Sequence, residues 1–552
     1  PWFVSPTGAS SDLIGYSFGR EIGTTRDTGW SDTFGLVGAV DIDLGKSWKL
    51  SAYGAYARSK EYHLTDNLPN EAIISEALGT IPDDPATAYS PARDGYFNPY
   101  GDGNANKPAV LAAIGSGYTE SRNANRVTTG NLQADGPLFD LPAGAVRLAT
   151  GANIRRESYE SRYSSFFVTP TPRIGTPVER ARTIAAAFAE LRVPLFGAEN
   201  ARPGFRRLDL SLAGRIEHYP DFGTTANPKF GITWTPVDGV TLRGTYGTSF
   251  RAPNLAQLRG PSGVSGAFVP NANGATVRVL QLAGGNPDLE PERARSWTVG
   301  AELAPTALPG LRANATLFRT IFDRRIDQPA GLRFREGLTD PDLAPFVRLV
   351  DPANDAADRD YVSALIAGLA EGDASFPVDS IAAVIDTRFV NTATTDVRGI
   401  DLALGYTVQS GADTFALDAN GAWLLAFREQ TTPVSAVVDQ RNLAGRPVDF
   451  RGRATASWRR GGFDALVGVN FVNGYRDDLT GARISSWITV DAHLGWNAPD
   501  DSPLRGTSIA LNVRNLFDRD PPFYDALTGL GYDAANADAV GRLVSIQITK
   551  RW

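Results

Sequence analysis

Cysteine and methionine are both absent from the 552-residue chain, and histidine occurs three times. Without cysteine there are no disulfides, no thiolate metal centres and no cysteine nucleophile. Long hydrophobic runs are missing too. No stretch reaches eighteen uninterrupted apolar residues, so no helical membrane span is predicted. Crossing by strands stays open, because a barrel strand needs only about ten residues with every second one apolar. Basic blocks are lacking as well: the formal charge is −7 and the cations are mostly single arginines, which argues against nucleic-acid binding. No initiator methionine and no basic, apolar leader precede Pro1-Trp2-Phe3, and the chain reads as a fragment lacking its true start.

What the chain does have is 42% hydrophobic and 10% aromatic residues, too many for disorder. Its mean hydropathy of −0.20 suits strands with one wet face. A two-residue alternation recurs from end to end. Leu208, Leu210, Leu212 and Ile216 oppose Asp209, Ser211 and Arg215, and Val240, Leu242, Tyr246 and Phe250 oppose Thr241, Arg243, Ser249 and Arg251. Ile400, Leu402, Leu404 and Tyr406 oppose Asp401, Ala403 and Gly405, and Ile488, Val490, Ala492, Leu494 and Trp496 oppose Thr489, Asp491, His493 and Gly495. Similar stripes fall near 34–44, 48–58, 145–156, 186–193, 297–303, 311–321, 415–423, 465–471 and 508–517. The helical period fits none of them, and weaker candidates bring the count to roughly eighteen strands, many longer than soluble sheets use.

Charges on the polar faces decide the architecture. Arg147, Arg155, Arg215, Arg243 and Asp491 could not sit in a sandwich core, where an unpaired charge costs several kcal/mol, but they suit the wet lumen of a wide barrel. The segment Gly541 to Trp552 reads as a strand running to the last residue, with Val544, Ile546, Ile548 and Trp552 on one side. Such an end implies pairing on both edges, hence a closed barrel, with Trp552 at headgroup depth and Lys550 snorkelling nearby. Connections alternate in length. Tight turns at 45–47, 237–239, 305–310 and 459–461 separate long excursions at 59–123, 252–293, 327–388, 427–448 and 518–540, the rim asymmetry of an outer-membrane barrel. Residues 356–370 read as a short amphipathic helix inside one excursion. The fold class is therefore all-β: a large antiparallel transmembrane barrel, one domain over 1–552.

Candidate site residues follow from the loops and the lumen. Tyr89, Tyr96, Phe97, Tyr100, Tyr118, Phe268 and Tyr524 are loop aromatics that either stack on a flat ligand or pack their own loops. Arg147, Arg155, Arg215, Arg243 and Arg251 either steer an anionic ligand or pair with wall acids such as Asp209, Glu217 and Asp491. In Asn286 to Glu292 two prolines fix an extended approach to a strand, and the acids are read as satisfying backbone amides or arginines. Asp102, Asn104 and Asn106 echo a calcium loop, but Lys107 and Ala113 stand where its glycine and glutamate belong. His63, His218 and His493 form no pair at ligand spacing. No metal, cofactor or catalytic constellation is predicted, and the chain does not read as an enzyme.

Four stretches carry a family resemblance. Thr245 to Asn254 (TYGTSFRAPN), Asn286-Pro287-Asp288-Leu289-Glu290-Pro291-Glu292, Val397 to Asp401 (VRGID), and Val513 to Asp518 (VRNLFD) with the closing strand to Trp552 resemble, in order and spacing, the barrel of TonB-dependent outer-membrane receptors. In that resemblance Asn286, Pro287, Leu289, Pro291, Glu292, Asn515, Leu516, Phe517, Asp518 and Trp552 are structural motif positions. The family's barrel has about 22 strands around a plug, whose carboxylates the arginines at 147, 155, 215, 243 and 251 would grip as an alternative to steering an anionic ligand. No plug, TonB box or signal peptide is found, so the chain looks like most of a barrel without its first strands. The resemblance implies a Gram-negative outer membrane, active uptake of a scarce bulky nutrient, and energy from the TonB-ExbB-ExbD complex through the missing N-terminal region. A ferric siderophore leads the cargo expectations, followed by carbohydrate, cobalamin or haem, with loops 59–123, 252–293 and 327–388 making the contacts. Rival readings are a passive porin and a soluble β-rich binding protein.

Overall fold

The computed structural model describes residues 15–101, 105–258, 261–367, 377–478, 480–525 and 530–551. Among the described residues seventeen long strands make one continuous wall. They are β1 (Arg26–Gly45), β2 (Trp48–Leu68), β3 (Gly117–Leu141), β4 (Gly144–Phe166), β5 (Val178–Phe196) and β6 (Arg207–Tyr219). Then come β7 (Gly223–Val237), β8 (Val240–Arg251), β9 (Glu292–Leu303), β10 (Leu311–Asp327), β11 (Val390–Ser410) and β12 (Asp413–Gln430). The last five are β13 (Phe450–Arg460), β14 (Phe463–Val472), β15 (Trp487–Asn497), β16 (Thr507–Arg514) and β17 (Leu543–Lys550). Each pairs antiparallel with its sequence neighbour, even where a long excursion intervenes, as between β8 and β9 or β10 and β11.

The expectation of a terminal strand paired on both edges is corrected. β17 pairs with β16 along one edge, and among the described residues neither β17 nor β1 has a second partner. Both strands run from the long-loop rim to the short-turn rim, so they could meet each other only in parallel. Their exposure fits: every side chain of β1 and nearly every one of β17 is exposed. Trp552 lies outside the described residues.

Connection lengths alternate as the sequence predicts. Tight turns at one rim use left-handed backbone. Gly45, Lys46 and Ser47 all have positive φ, and Gly239 combines φ +81° with so close an approach that a Cβ would stand 2.7 Å from the Ala304 carbonyl oxygen. The opposite rim carries the excursions, with bounds that differ from those the sequence stripes suggest. The first spans 69–116 rather than 59–123, because β2 and β3 stay paired beyond the apolar stripe on polar residues such as Lys60, Glu61 and Glu120. One connection there, 220–222, is itself short. The stripe at 508–517 ends as strand at Arg514, where Asn515 (φ +49°) breaks into a turn.

The wall is hydrophobic on the outside. On β11, Leu402 and Leu404 are 42% and 51% exposed, and on β12, Leu417 is 59% exposed. Outward side chains meet across the register: Val299 opposite Leu317, Leu494 opposite Leu511, Ile509 opposite Ile548. Aromatic pairs bound the band, with Phe415–Trp458 and Phe463–Trp496 toward the short-turn rim and, toward the other, Tyr246–Trp297 and the diagonal neighbours Phe34 and Tyr56, ring centres 6.4 Å apart. Phe415 to Trp423 on β12 spans ~26 Å along the strand at ~3.3 Å per residue, the height of a lipid-facing band.

Candidate functional site

The excursions at the long-loop rim fold into bodies with cores of their own. In 69–116, Asn70 caps helix Glu71–Ala77, its side chain accepting from the Ile73 amide at 3.2 Å. Ile73, Ala77, Tyr89, Phe97, Val110 and Ile114 form the core beneath. Glu76 is fully buried yet satisfied, accepting from the Asp84 amide at 2.6 Å and the Thr87 hydroxyl at 2.9 Å. Tyr89 donates to the Gly95 carbonyl, and burial pushes its hydroxyl up to about 12. Phe97 stacks edge-on against Tyr16, centroids 5.0 Å apart. Of the aromatics singled out in this loop, Tyr89 and Phe97 thus lie inside it, whereas Tyr96 and Tyr100 are exposed. Asn106 ties the loop together, accepting from the Asn98 amide at 2.6 Å; Asp102 and Asn104 lie outside the described residues.

Two excursions from neighbouring hairpins fuse into a second body. Strands Pro261–Pro270 and Thr276–Gly284 pair antiparallel, Thr276–Gly284 runs parallel to Ile381–Asp386, and Val347–Leu349 completes the sheet. Leu280, Leu282, Ile381 and Val384 pack on helix Ala356–Ala367 through Val362; Val279, Ala383 and Ile385 pack on Leu343 and Ala330 on the other face. The helix expected over 356–370 is therefore present, its last three residues lying outside the described ones. Phe268 is exposed, with Arg278 stacked at 5.6 Å from its ring centre.

A third body joins 515–542 to its neighbours. Asp533 accepts from the Gly445 amide at 3.0 Å, the Ala535 amide at 3.0 Å and the Asn536 amide group at 2.9 Å. Burial pushes the Asp533 carboxyl up, but these donors and the Tyr475 hydroxyl outweigh it and hold the group below the usual carboxylate range. Asn536 also bonds Arg451 of the wall at 3.0 Å and the Arg446 carbonyl at 2.9 Å. Between this segment and β11–β14 lies a cavity of about 630 Å³ lined by Asp401, Arg451, Arg453, Asn470, Asn536 and Asp538 among others.

On the inner face of the wall each singled-out arginine has an acid. Arg147 stands 3.7 Å from Asp135, Arg155 2.7 Å from Glu157, Arg215 2.6 Å from Glu217, Arg243 2.7 Å from Glu302 and Arg251 2.9 Å from Glu292. Asp491 holds Arg453 at 2.8 Å and also accepts from the Asn515 amide at 3.1 Å. The structure does not gather these arginines into one cluster; they are spread along β4, β6 and β8. Arg182, which its sequence context does not distinguish, is the one buried arginine among the described residues. It bonds Glu157 of β4, Asp221 and the Pro253 carbonyl, each at 2.9 Å, and so ties two connections at the mouth, 220–222 and 252–291, to the wall. Its partners at 157, 221 and 253 are remote in sequence, so no local signal marks it.

The motif residues sit at junctions. Asn286 bonds the Phe389 carbonyl at 3.0 Å, Leu289 is buried with Leu258 and Ile326, and Glu292 accepts from the Ile326 amide at 2.8 Å. Pro287 and Pro291 frame that approach to β9. Asn515 and Arg519 bond reciprocally at 3.0 and 2.9 Å, Leu516 donates to the Val490 carbonyl at 2.6 Å, and Asp518 accepts from the Arg542 amide at 2.7 Å, while Phe517 is exposed. His493 bridges Asn512 and Asp464, His63 stands 3.6 Å from Asp27, and His218 meets Thr224. Among the described residues no three His, Asp or Glu side chains converge as a metal site would require.

A family model described as TonB dependent receptor-like, beta-barrel matches residues 3–516. No curated protein matches the sequence. Among solved structures the chain is similar to the copper transporter OprC, at 14% identity and TM-score 0.52, covering 95% of this chain and 66% of that one. The ferric-catecholate import receptor Fiu from K12 E. coli is similar at 13% identity and TM-score 0.53 (95% and 64% covered), and the RagAB peptide importer at 10% and 0.52 (95% and 62%). At these identities the likeness establishes the fold. The chain spans less than two thirds of the length of each of these structures.

Proposed function

The chain belongs to the TonB-dependent receptor β-barrel family, and we propose that it is the wall and mouth of an outer-membrane receptor that captures a scarce, bulky nutrient and admits it under TonB-coupled control. The observation that carries this reading is the inside-out wall: an outward apolar band bounded by aromatics, an inward face of ion pairs, and three structured bodies over one rim. An outward stripe of Leu, Val and Ile is stable only against hydrocarbon, and an inward set of arginines only against water or partners.

In this reading no covalent chemistry is performed. Exposed aromatics of the loop bodies, Tyr96, Tyr100 and Phe268, meet the ligand, and passage through the lumen is gated by energy from the TonB-ExbB-ExbD complex. The named functions of similar structures include copper, ferric-catecholate and peptide transport; a ferric siderophore is the first ligand to test, with carbohydrate, cobalamin and haem next. Against a passive porin, seventeen long strands do not discriminate, since porins use about 16 to 18; family membership and the folded bodies over the mouth favour the receptor. Deleting 85–105 should abolish high-affinity ligand binding while the barrel keeps its heat-modifiable mobility on gels. Tyr96→Ala with Tyr100→Ala should weaken binding without disturbing the loop core. Undiminished binding in both variants would remove this loop from the account.

A further inference from the structure

Above the apolar band, the outward positions of four adjacent strands change abruptly to charge. β9 goes from Val299 and Trp297 to Arg295 and Arg293; β10 from Leu317 to Arg319 and, beyond Ile321, Asp323. β11 goes from Leu402 and Ile400 to Arg398 and Asp396, and β12, after a bulge, presents Arg428 opposite Asp396. All lie on the outward side because each pairs in register with, or alternates from, an outward apolar residue. Five guanidinium groups therefore share a patch with two carboxylates, on a chain whose formal charge is −7.

The pairing inside the patch is incomplete. Arg319 and Arg398 stand directly opposite one another across β10 and β11, a like-charge arrangement that is unfavourable by itself, and both lean on the single Asp396, at 2.9 and 2.6 Å. Arg295 takes Asp323 at 3.0 Å. Arg293 and Arg428 are exposed, and among the described residues neither is within ion-pairing distance of an acid. The patch thus carries an excess of positive charge, and its position, immediately above Trp297 and Trp423, is that of lipid headgroups. Guanidinium groups bind phosphate oxygens in bidentate fashion.

We propose that this arginine belt binds the phosphate groups of anionic lipid headgroups in the leaflet at the long-loop rim. The inference rests on the membrane reading above. Its occupant is continuous with the acyl chains that the apolar band requires, and its charge complements the patch.

The test reconstitutes the full protein into bilayers of phosphatidylcholine mixed with phosphatidylglycerol and measures retained lipid by native mass spectrometry. The unmodified protein should enrich phosphatidylglycerol, and Arg293→Gln/Arg398→Gln/Arg428→Gln should lose that enrichment by about fivefold per arginine, the factor equivalent to ~1 kcal/mol per basic residue at an anionic surface. Arg312→Gln, inward on the same β10, should enrich as the unmodified protein does. On the unmodified protein alone, enrichment should fall as salt rises. Failure to enter bilayers at all would sink the membrane reading. Insertion with equal lipid ratios in protein and triple variant, salt-independent enrichment, or retention of an acidic protein in place of lipid would overturn the belt while leaving the receptor reading intact.

Discussion

The wall and the loop bodies use the same aliphatic residues in opposite ways. On the wall, Leu404 is 51% and Ile546 70% exposed; in the bodies over the mouth, Ile114, Leu343 and Ile385 are all completely buried. The wall thus depends on an external apolar solvent, whereas each loop body is an aqueous fold with a small core. This difference explains why the wall's strands read as simple alternation and the loops do not, and it predicts that substitutions of one chemical kind will act differently in the two regions.

The largest effect is expected in a loop core. Ile385→Ala should cost about 2–5 kcal/mol of local stability, seen as protease cleavage within 261–386 while the wall keeps its heat-modifiable mobility; the same truncation at Leu402 should cost much less, because acyl chains fill the space. A comparable effect of opposite location comes from charge: Leu404→Arg should destabilise the inserted wall by about 2–4 kcal/mol, and Ala403→Arg, one residue away and inward, should not. Equal penalties at 403 and 404 in lipid unfolding titrations would erase the distinction between faces.

Smaller effects belong to the junctions. Glu292→Gln removes the carboxylate that meets Arg251 and the Ile326 amide and should cost about 1–3 kcal/mol, measured as a lower denaturation midpoint, with Asp288→Asn, at a position exposed to solvent, as the neutral comparison. The smallest is a pH effect. Because the Asp533 carboxyl is held below its ordinary value, its contribution is complete above the unfolded carboxylate pKa of about 3.9 and is lost as pH falls through the folded pKa. Cleavage of 515–542 by an acid protease should therefore rise only below the ordinary carboxylate range, and Asp533→Asn should remove the pH step.

How much was legible in the chain follows the same division. Period-two stripes located the strands of the wall, since each alternate residue meets a different solvent. They misjudged strand ends, as at Lys60 to Leu68, where backbone pairing continues past the apolar stripe. They also implied a partner for both edges of the last strand, where the described structure pairs one. Inside the loops, Tyr89 and Phe97 looked like Tyr96 and Tyr100, because burial there depends on contacts such as that of Phe97 with Tyr16, far apart in sequence. The parallel pairing of Thr276–Gly284 with Ile381–Asp386 has no local signature at all. Nor does the role of Asp533, one acid among many in polar loops, whose partners Gly445 and Tyr475 come from two other excursions.

The absence of native cysteine allows the central claim to be tested at single positions. Cysteines placed one at a time at 401, 402, 403 and 404 in the reconstituted protein should alternate: Leu402→Cys and Leu404→Cys quenched by lipid-borne reagents and closed to water-soluble ones, Asp401→Cys and Ala403→Cys the reverse. Uniform reactivity along the four positions, or protection of 402 and 404 from both reagents, would contradict a wall whose aliphatic face meets lipid.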